Sequence, residues 1–275
     1  MEIKCQNCGG HQGVKAGKTP QGKQRYKCLD CNVRFTSAST SIFHSQKLDY
    51  TKMRKLLALI IRDATVEDMA ELLGLSTRTV YMWRIKVYKC LGNHQKSVIL
   101  RNNVWIDEFF VPVNRQDLIL NKGKKLRGVS VNQIVIAAAV DSNNNRYAEI
   151  VGKGHITSKQ CLDSYGKHIE KGSHLIHDGT FSHDQLIKDL KLTDETWKPI
   201  VKASKRAMQP INSFCAQIER NFVKHIGGLS KYIQDYLNWI VFKNSLKGLT
   251  MKEKTDRLEG VCLKSGVTYK IKDRY

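Results

Sequence analysis

The 275-residue chain lacks the features that mark several special classes of protein. It has only 4 Pro and 19 Gly, and 41% of its residues are hydrophobic, which excludes a disordered, collagen-like or coiled-coil chain. Its longest apolar run, Ile134–Val140, is far shorter than the roughly 20 residues that cross a bilayer. The first residues, Met1–Cys5, contain no apolar signal core. We therefore expect a cytoplasmic protein with no membrane partner.

Acidic residues are scarce relative to basic ones. The chain has 25 Asp and Glu against 46 Lys and Arg, a formal net charge of +21. A partner of dense negative charge, nucleic acid above all, would offset this field. A basic housekeeping protein is the alternative, and charge alone does not separate DNA from RNA.

Four of the eight cysteines form a spaced pattern, with Cys5 and Cys8 followed after 19 residues by Cys28 and Cys31. Two Cys-x-x-Cys turns supply the four tetrahedral thiolates that zinc prefers. The short segments before Cys28 and after Cys31 have sequences typical of strands. Residues 1–46 are therefore predicted to form a zinc ribbon with a structural zinc ion. Disulfides are the alternative, and they are disfavoured in a cytoplasmic chain.

Residues 47–96 are expected to form three helices. The second helix is capped by Thr65 and ends at Gly74, and the third is capped by Ser76. The segment Val66–Trp83 resembles a DNA-binding helix-turn-helix, although ordinary short helices can give the same pattern. On the first interpretation, the residues near the groove-facing side are Thr77, Arg78, Thr79, Tyr81 and Arg84.

Strand and helix patterns alternate from residue 97 to about 249. The predicted strands are Asn103–Val113, Gln133–Val140, Arg146–Val151, Ser173–His177 and Trp197–Val201. The predicted helices are Thr157–Ile169, Ser182–Leu190 and a long stretch from Asn212 to Leu246. This order is that of the ribonuclease H-like fold, so we predict a multi-domain α/β protein whose last domain has a mixed sheet flanked by helices. A basic tail, 250–275, follows.

Two acids interrupt or end apolar strands, and a third candidate lies on the helix that follows. Asp107 interrupts an apolar strand, where an unpaired carboxylate would cost roughly several kcal/mol. Asp178 ends a strand just before Gly179, and Glu219 lies on a helix with an apolar face. Shared divalent cations, Mg²⁺ or Mn²⁺, would explain the three carboxylates, because two such ions can activate and stabilise the oxygens of a phosphodiester. The alternative is a buried ion pair, a strand-end cap and a surface charge.

The chain contains, in this order, the predicted zinc ribbon, the predicted helix-turn-helix, and the segments Trp105–Glu108, His177–Gly179 and Ile218–Glu219. This order resembles that of the DDE transposases of bacterial insertion sequences, in the subgroup with an N-terminal zinc ribbon. The resemblance implies an Asp-Asp-Glu triad that holds two Mg²⁺ or Mn²⁺ ions. It implies cleavage of DNA at the element ends by water and attack of the freed 3′-hydroxyl on target DNA. The triad would be Asp107, Asp178 and Glu219.

The same resemblance implies double-stranded DNA as partner, a homo-oligomer on that DNA and a nucleoid-associated location. Glu108 would be a supporting or structural acid, and His177 and His225 flank the acids. A basic loop that contains Lys124, Lys125 and Arg127 is expected to contact the DNA backbone, a solvated loop being the alternative.

The chain departs from the family pattern in two places. It has Val111–Asn114 where a Gly pair is usual, and Arg220 where the third acid is often followed by Ser. Two other functions are considered beside the transposase. A non-catalytic, domesticated DNA-binding regulator would use only the ribbon and the helix-turn-helix. An RNA-acting nuclease would not need a helix-turn-helix.

Overall fold

The structure, a computed structural model, describes residues 5, 8, 10–20, 24–36, 41–43, 48–113, 115–198, 206–225 and 230–265. The chain divides into two compact units, one made of residues 1–91 and 248–275 and the other of residues 92–247. Among the described residues, no helix combines the length and apolar character needed to span a membrane.

The elements are numbered in chain order. The strands are β1 (Gly13–Lys18), β2 (Gln24–Cys28), β3 (Arg34–Thr36), β4 (Asn103–Pro112), β5 (Leu120–Asn121), β6 (Lys124–Lys125), β7 (Gln133–Asp141), β8 (Arg146–Lys153), β9 (His174–His177) and β10 (Thr193–Thr196). The helices are α1 (Tyr50–Ile61), α2 (Val66–Leu73), α3 (Thr77–Cys90), α4 (Gly92–Lys96), α5 (Ser158–Tyr165), α6 (Asp184–Leu190), α7 (Gln209–His225), α8 (Ile233–Asn244) and α9 (Met251–Lys264).

The first unit begins with a small antiparallel sheet in the order β1-β2-β3. Cys5, Cys28 and Phe35 form its buried centre, with Tyr26 packed against them. A core of this size is too small to stabilise a fold by burial alone, so a bound metal is the physically reasonable addition.

Helices α2 and α3 of the first unit are bounded by the residues that the sequence indicates. The Thr65 side chain accepts from the backbone N–H of Asp68, and the Ser76 side chain accepts from that of Thr79. Gly74 ends α2 with a φ of 62°, a left-handed conformation that glycine adopts without steric cost. The predicted helix boundaries at these caps are confirmed.

Part of the predicted basic tail is helical. Thr250 and Glu253 form a capping box at the start of α9, and α9 packs against α1. The Arg54 guanidinium of α1 pairs with Asp256 and Glu259 of α9 at 2.6 and 2.5 Å. Residues 266–275 lie outside the described residues.

The second unit is a mixed α/β structure around a five-stranded sheet in the order β10-β9-β4-β7-β8. The pairs β4–β7 and β7–β8 are antiparallel, whereas β9 pairs in parallel with both β4 and β10. Helices lie against the sheet, and this arrangement is consistent with the expected ribonuclease H-like fold.

The two faces of the sheet pack against different helices. Val104 and Ile106 of β4 belong to a buried cluster with Tyr165 of α5 and Leu186 of α6. Side chains alternate along a strand, so Trp105 points to the other face. There its indole N–H donates to the carbonyl of Ala207 at 2.8 Å, just before α7, which packs on β4 and β7.

The fifth strand lies earlier than the sequence predicts. The expectation was Trp197–Val201, but β10 spans Thr193–Thr196, while residues 197 and 198 are not in a strand and 199–201 lie outside the described residues. All four β10 side chains are exposed because the strand forms an edge of the sheet. An exposed edge strand needs no apolar pattern, so hydrophobicity misplaced it.

Candidate active site and thiol cluster

Asp107 and Asp178 lie close to each other at two neighbouring parallel strands. Trp105 of β4 pairs with Ile176 of β9, and Asp107 and Asp178 each follow that pair by two residues. Asp107 is half-buried inside β4, and Asp178 follows the last residue of β9. The parallel pairing therefore brings together two of the three predicted acids.

The two carboxylates repel each other. Burial raises the pKa of Asp107 to about 7, and the negative charges of Glu108 and Asp178 contribute to the rise. The backbone N–H of Glu108 donates to Asp107 Oδ1 at 2.9 Å, and this hydrogen bond opposes the rise in the pKa of Asp107. Neighbouring carboxylate oxygens are the donors that Mg²⁺ and Mn²⁺ prefer, so Asp107 and Asp178 fit such an ion.

A tight turn fixes the Asp178 carboxylate. The Thr180 backbone N–H and hydroxyl donate to Asp178 Oδ1 at 2.9 and 2.7 Å. Gly179 between them has a φ of +82°, and a Cβ there would collide with the Thr196 methyl group of β10. The turn therefore requires glycine at this position.

Glu219 is carried by α7, which packs on the sheet face that Asp107 shares with Trp105. One helical turn before Glu219, Cys215 is buried, and burial raises the pKa of its thiol. The charges of Asp107 and Glu219 raise this pKa further. Both carboxylates are thus near one thiol, with Glu219 itself exposed to solvent.

A buried polar cluster occupies the other face of the sheet. Glu108 accepts a hydrogen bond from the Tyr165 hydroxyl at 2.9 Å and faces His183 Nε2 at 3.2 Å. His183 Nδ1 lies 2.9 Å from His177 Nδ1. Candidate metal-ligating atoms of His177, Asp178 and His183 all lie within 4.8 Å of one another, so this group can also hold a metal ion.

The pKa values of His183 and His177 are shifted in opposite directions. Burial lowers the pKa of His183, but the hydrogen bond and charge of Glu108 outweigh burial, so that the pKa is raised. Burial and the neighbouring His183 lower the pKa of His177. His183 and Tyr165 were not predicted as site residues, since no local spacing connects either with Glu108. The side chain of His225 lies outside the described residues.

The four predicted zinc ligands form a compact cluster. The sulfurs of Cys5 and Cys31 are 3.5 Å apart, and those of Cys8 and Cys28 are 3.6 Å apart. All four lie within 4.8 Å of one another, and none is in a disulfide. A tetrahedral ion with bonds of about 2.3 Å places sulfurs about 3.8 Å apart, so the cluster can hold zinc.

The residues predicted to face a DNA groove differ in exposure. Thr77 and Arg78 at the start of α3 are exposed, and Thr79 and Tyr81 are partly exposed. Arg84 was expected on the same side, but it is buried. Its guanidinium donates to the Ala64 carbonyl at 2.6 Å, so the Arg84 side chain stabilises the interior of this helical region and does not face solvent.

The predicted basic loop is a small exposed hairpin. Lys124 and Lys125 form β6, which pairs with β5, and Arg127 follows. All three side chains are exposed, as a contact with a DNA backbone requires.

No protein-family model matches the sequence, and no curated protein matches it. Solved structures give distant similarities. A simian T-cell lymphotropic virus intasome in complex with PP2A regulatory subunit B56 gamma is 12% identical, with a TM-score of 0.36, over 72% of this chain and 69% of that chain. A pre-cleavage Mos1 transpososome is 12% identical, with a TM-score of 0.28, over 82% of both chains. Scores this low carry no argument, so the proposal below depends on the site itself.

Proposed function

We propose that the chain is a DNA transposase of the DDE type. Asp107, Asp178 and Glu219 would carry out phosphoryl transfer on DNA, first cleaving element ends and then joining the 3′-hydroxyl to target DNA. The observation that supports this most is the pairing of β4 with β9, which brings Asp107 and Asp178 close enough to interact, together with the packing of the Glu219 helix on β4 and β7.

These three carboxylates would hold two Mg²⁺ or Mn²⁺ ions. Bound there, the metal supplies activation of the attacking oxygen and stabilisation of the leaving oxygen. The chain itself orients the ligands: Thr180 donates two hydrogen bonds to Asp178, and the Glu108 amide donates one to Asp107. Oriented ligands lower the entropy that must be lost when the reacting groups are positioned.

The first unit would bind the element ends. Its parts would be a zinc ribbon over residues 1–46, with zinc on the four thiols, and a helix-turn-helix within 47–96 whose third helix presents Arg78. The catalytic domain, 97–249, would contribute phosphate contacts from the exposed hairpin that contains Lys124. A net charge of +21 supports a nucleic-acid partner. The protein would act on DNA as a homo-oligomer associated with the nucleoid.

The test is cleavage of a labelled duplex that carries the element's own ends, taken from the flanking genomic DNA, in the presence of Mg²⁺. Wild type is compared with Asp178→Ala and with Asp163→Ala, a matched control at an exposed position of α5. We expect nicking or joining by wild type and by Asp163→Ala, and none by Asp178→Ala although it still binds DNA.

The second candidate function is a DNA-binding regulator without catalysis. The separation of the chain into two units favours it, because α2 and α3 lie in a different unit from the acids. Specific binding with no cleavage by any of the three proteins would establish this function in place of the transposase.

A further inference from the structure

A chain of buried hydrogen-bonding groups connects strand β4 with the turn that presents Asp178. It begins at Glu108, which accepts from Tyr165 and faces His183 Nε2. It continues from His183 Nδ1 to His177 Nδ1, 2.9 Å away. It ends at the backbone N–H of Gly179, which donates to His177 Nδ1 at 3.3 Å.

This chain is shielded from water. The exposed fraction of the side chain is 7% for Glu108, 0% for His183 and 3% for His177. A buried polar group that loses its partner costs about 1–3 kcal/mol, and well-packed apolar residues are often as stable as a buried ion pair. Stability of the core alone therefore gives no reason for a carboxylate and two imidazoles at this place.

The geometry assigns the protons along the chain. His177 Nδ1 accepts from the Gly179 N–H, so this nitrogen carries no proton, and the proton between the two rings belongs to His183. On its other side His183 Nε2 faces both carboxylate oxygens of Glu108, at 3.2 and 3.3 Å. His183 therefore donates in both directions and joins Glu108 to His177.

The two ends of this chain lie next to the two proposed catalytic acids. Glu108 follows Asp107 along β4, and Gly179 follows Asp178 after β9. Asp107 points to the α7 side of the sheet and Glu108 to the α5 side, while Asp178 Oδ1 lies 3.9 Å from His183 Nδ1. The connection thus joins the residue next to Asp107 with the turn that carries Asp178.

We propose that Glu108, His183 and His177 are positioning residues that hold the Asp178 turn level with Asp107, so that the two carboxylates bind one cation together. The reaction that this serves rests on the proposed function, but the connection itself can be tested without DNA. Geometry of this kind matters because ligands displaced by a fraction of an ångström bind and react poorly.

Direct binding of a metal by His177, Asp178 and His183 is the competing arrangement. The hydrogen bonds favour the positioning role, because the single lone pair of His177 Nδ1 already faces the N–H groups of Gly179 and His183, and a metal at this nitrogen would have to displace both.

The first measurement is the nitrogen–nitrogen scalar coupling across the His177–His183 hydrogen bond, by NMR of protein with ¹⁵N-labelled histidine in the absence of DNA. We expect the coupling in wild type and its loss in His183→Gln. Zn²⁺, one equivalent beyond that held by the thiols, should leave it intact. Absence of the coupling, or its replacement by zinc on both Nδ1 atoms, overturns the proposal.

The second measurement is the affinity of the protein alone for Mn²⁺, by electron paramagnetic resonance. Glu108→Ala should bind Mn²⁺ on the order of 10- to 100-fold more weakly, the usual effect of removing a group that orients metal ligands. Glu108→Gln keeps an acceptor for Tyr165 and His183, so it should recover part of this loss.

Glu149→Ala is the matched control. Glu149 lies on β8 of the same sheet and accepts from the Tyr147 hydroxyl at 2.5 Å, as Glu108 does from Tyr165. It should bind Mn²⁺ within about twofold of wild type. Equal losses in Glu108→Ala and Glu149→Ala, or in neither, overturn the positioning role. Unchanged results here with no DNA cleavage by wild type would instead overturn only the proposed function.

Discussion

The thiol cluster and the proposed catalytic carboxylates are assembled from the sequence in different ways. The four thiols come from two short segments at the ends of one hairpin, β1–β2, and two of them, Cys5 and Cys28, belong to a very small buried core. The carboxylates of Asp107, Asp178 and Glu219 come from the middle of one strand, the end of another and a helix. The first cluster is local in sequence, whereas the second exists only when a sheet has formed.

This difference bears on what each metal would do for the protein. The small sheet has only a very small core, so binding of the proposed zinc and folding would be one event there. The carboxylates belong to a large unit with its own apolar core, and that core holds them together against their repulsion. Loss of metal should therefore unfold the first region and only disable the second. Four predictions test this contrast.

The largest effect is expected for Cys28→Ser. It should remove the zinc and unfold the small sheet, since structural zinc contributes about 10–16 kcal/mol to such folds. Metal content and limited proteolysis of residues 5–36 measure this. Cys161→Ala, which removes a buried thiol from the core of the other unit, should keep its zinc. A Cys28→Ser protein that retains one zinc per chain contradicts the prediction.

Asp107→Asn should affect activity and stability in opposite directions. Cleavage should fall about 10³-fold, because a ligand worth several kcal/mol is lost. In EDTA at pH 8 the variant should be more stable, by roughly 1–4 kcal/mol, because the pKa of Asp107 is raised to about 7 and its ionised form is disfavoured in the fold.

The sign of this stability difference follows from linkage. The folded pKa of Asp107 is above the unfolded value, so wild type loses stability as the pH rises from about 4 through about 7. The asparagine variant lacks that loss, and the gap should be small at pH 4. Thermal unfolding at the two pH values measures it. A variant less stable than wild type at pH 8 would contradict the interpretation that burial, together with the neighbouring carboxylates, disfavours ionised Asp107 in the fold.

Gly179→Ala should cost about 1–3 kcal/mol and weaken Mn²⁺ binding. The new Cβ would meet the Thr196 methyl group, and relief of that collision shifts the turn that carries Asp178. Gly172→Ala is the control: its φ of +78° is equally unfavourable, but nothing lies within 4 Å of the new Cβ. It should lose stability and keep its Mn²⁺ affinity. Equal affinities in both variants would disprove a role for the turn.

The smallest effects separate two arginines of α3. Arg78→Ala should weaken DNA binding and reduce the slope of log affinity against log salt concentration by about one. It should leave the free energy of unfolding within about 0.5 kcal/mol of wild type. Arg84→Ala should instead destabilise the protein by about 1–3 kcal/mol, since its guanidinium donates to the Ala64 carbonyl. Binding isotherms at several salt concentrations and chemical unfolding test both. If only Arg84→Ala reduced the salt dependence of DNA binding, Arg84 and not Arg78 would be the residue that contacts DNA.

Sequence patterns were sufficient wherever a structural feature depends on neighbours in the chain. Thr65, Ser76 and Gly74 cap or end helices as predicted, because each cap bonds to backbone groups within a few residues. Arg84 is a residue whose burial such patterns do not predict. Helical spacing places it beside the exposed residues, but only packing shows that it is buried against the Ala64 carbonyl.

The same limit applies to the second unit. Edge strand β10 has no apolar pattern because its side chains meet solvent, so its position depends on pairing with β9. His183 and Tyr165 gain their importance from Glu108, which is distant from both in sequence. Such partners are invisible to any local rule.

By itself, the sequence determined the charge of the chain, the four-thiol cluster and the helix boundaries at Thr65, Gly74 and Ser76, all of which depend on composition or on short spacings. Only the tertiary structure decided that Asp107 and Asp178 are neighbours and that a buried Glu108–His183–His177 chain connects the strand of Asp107 with the turn of Asp178. The physical reason is that parallel pairing joins residues far apart in sequence, and it is the register between strands that sets which side chains meet.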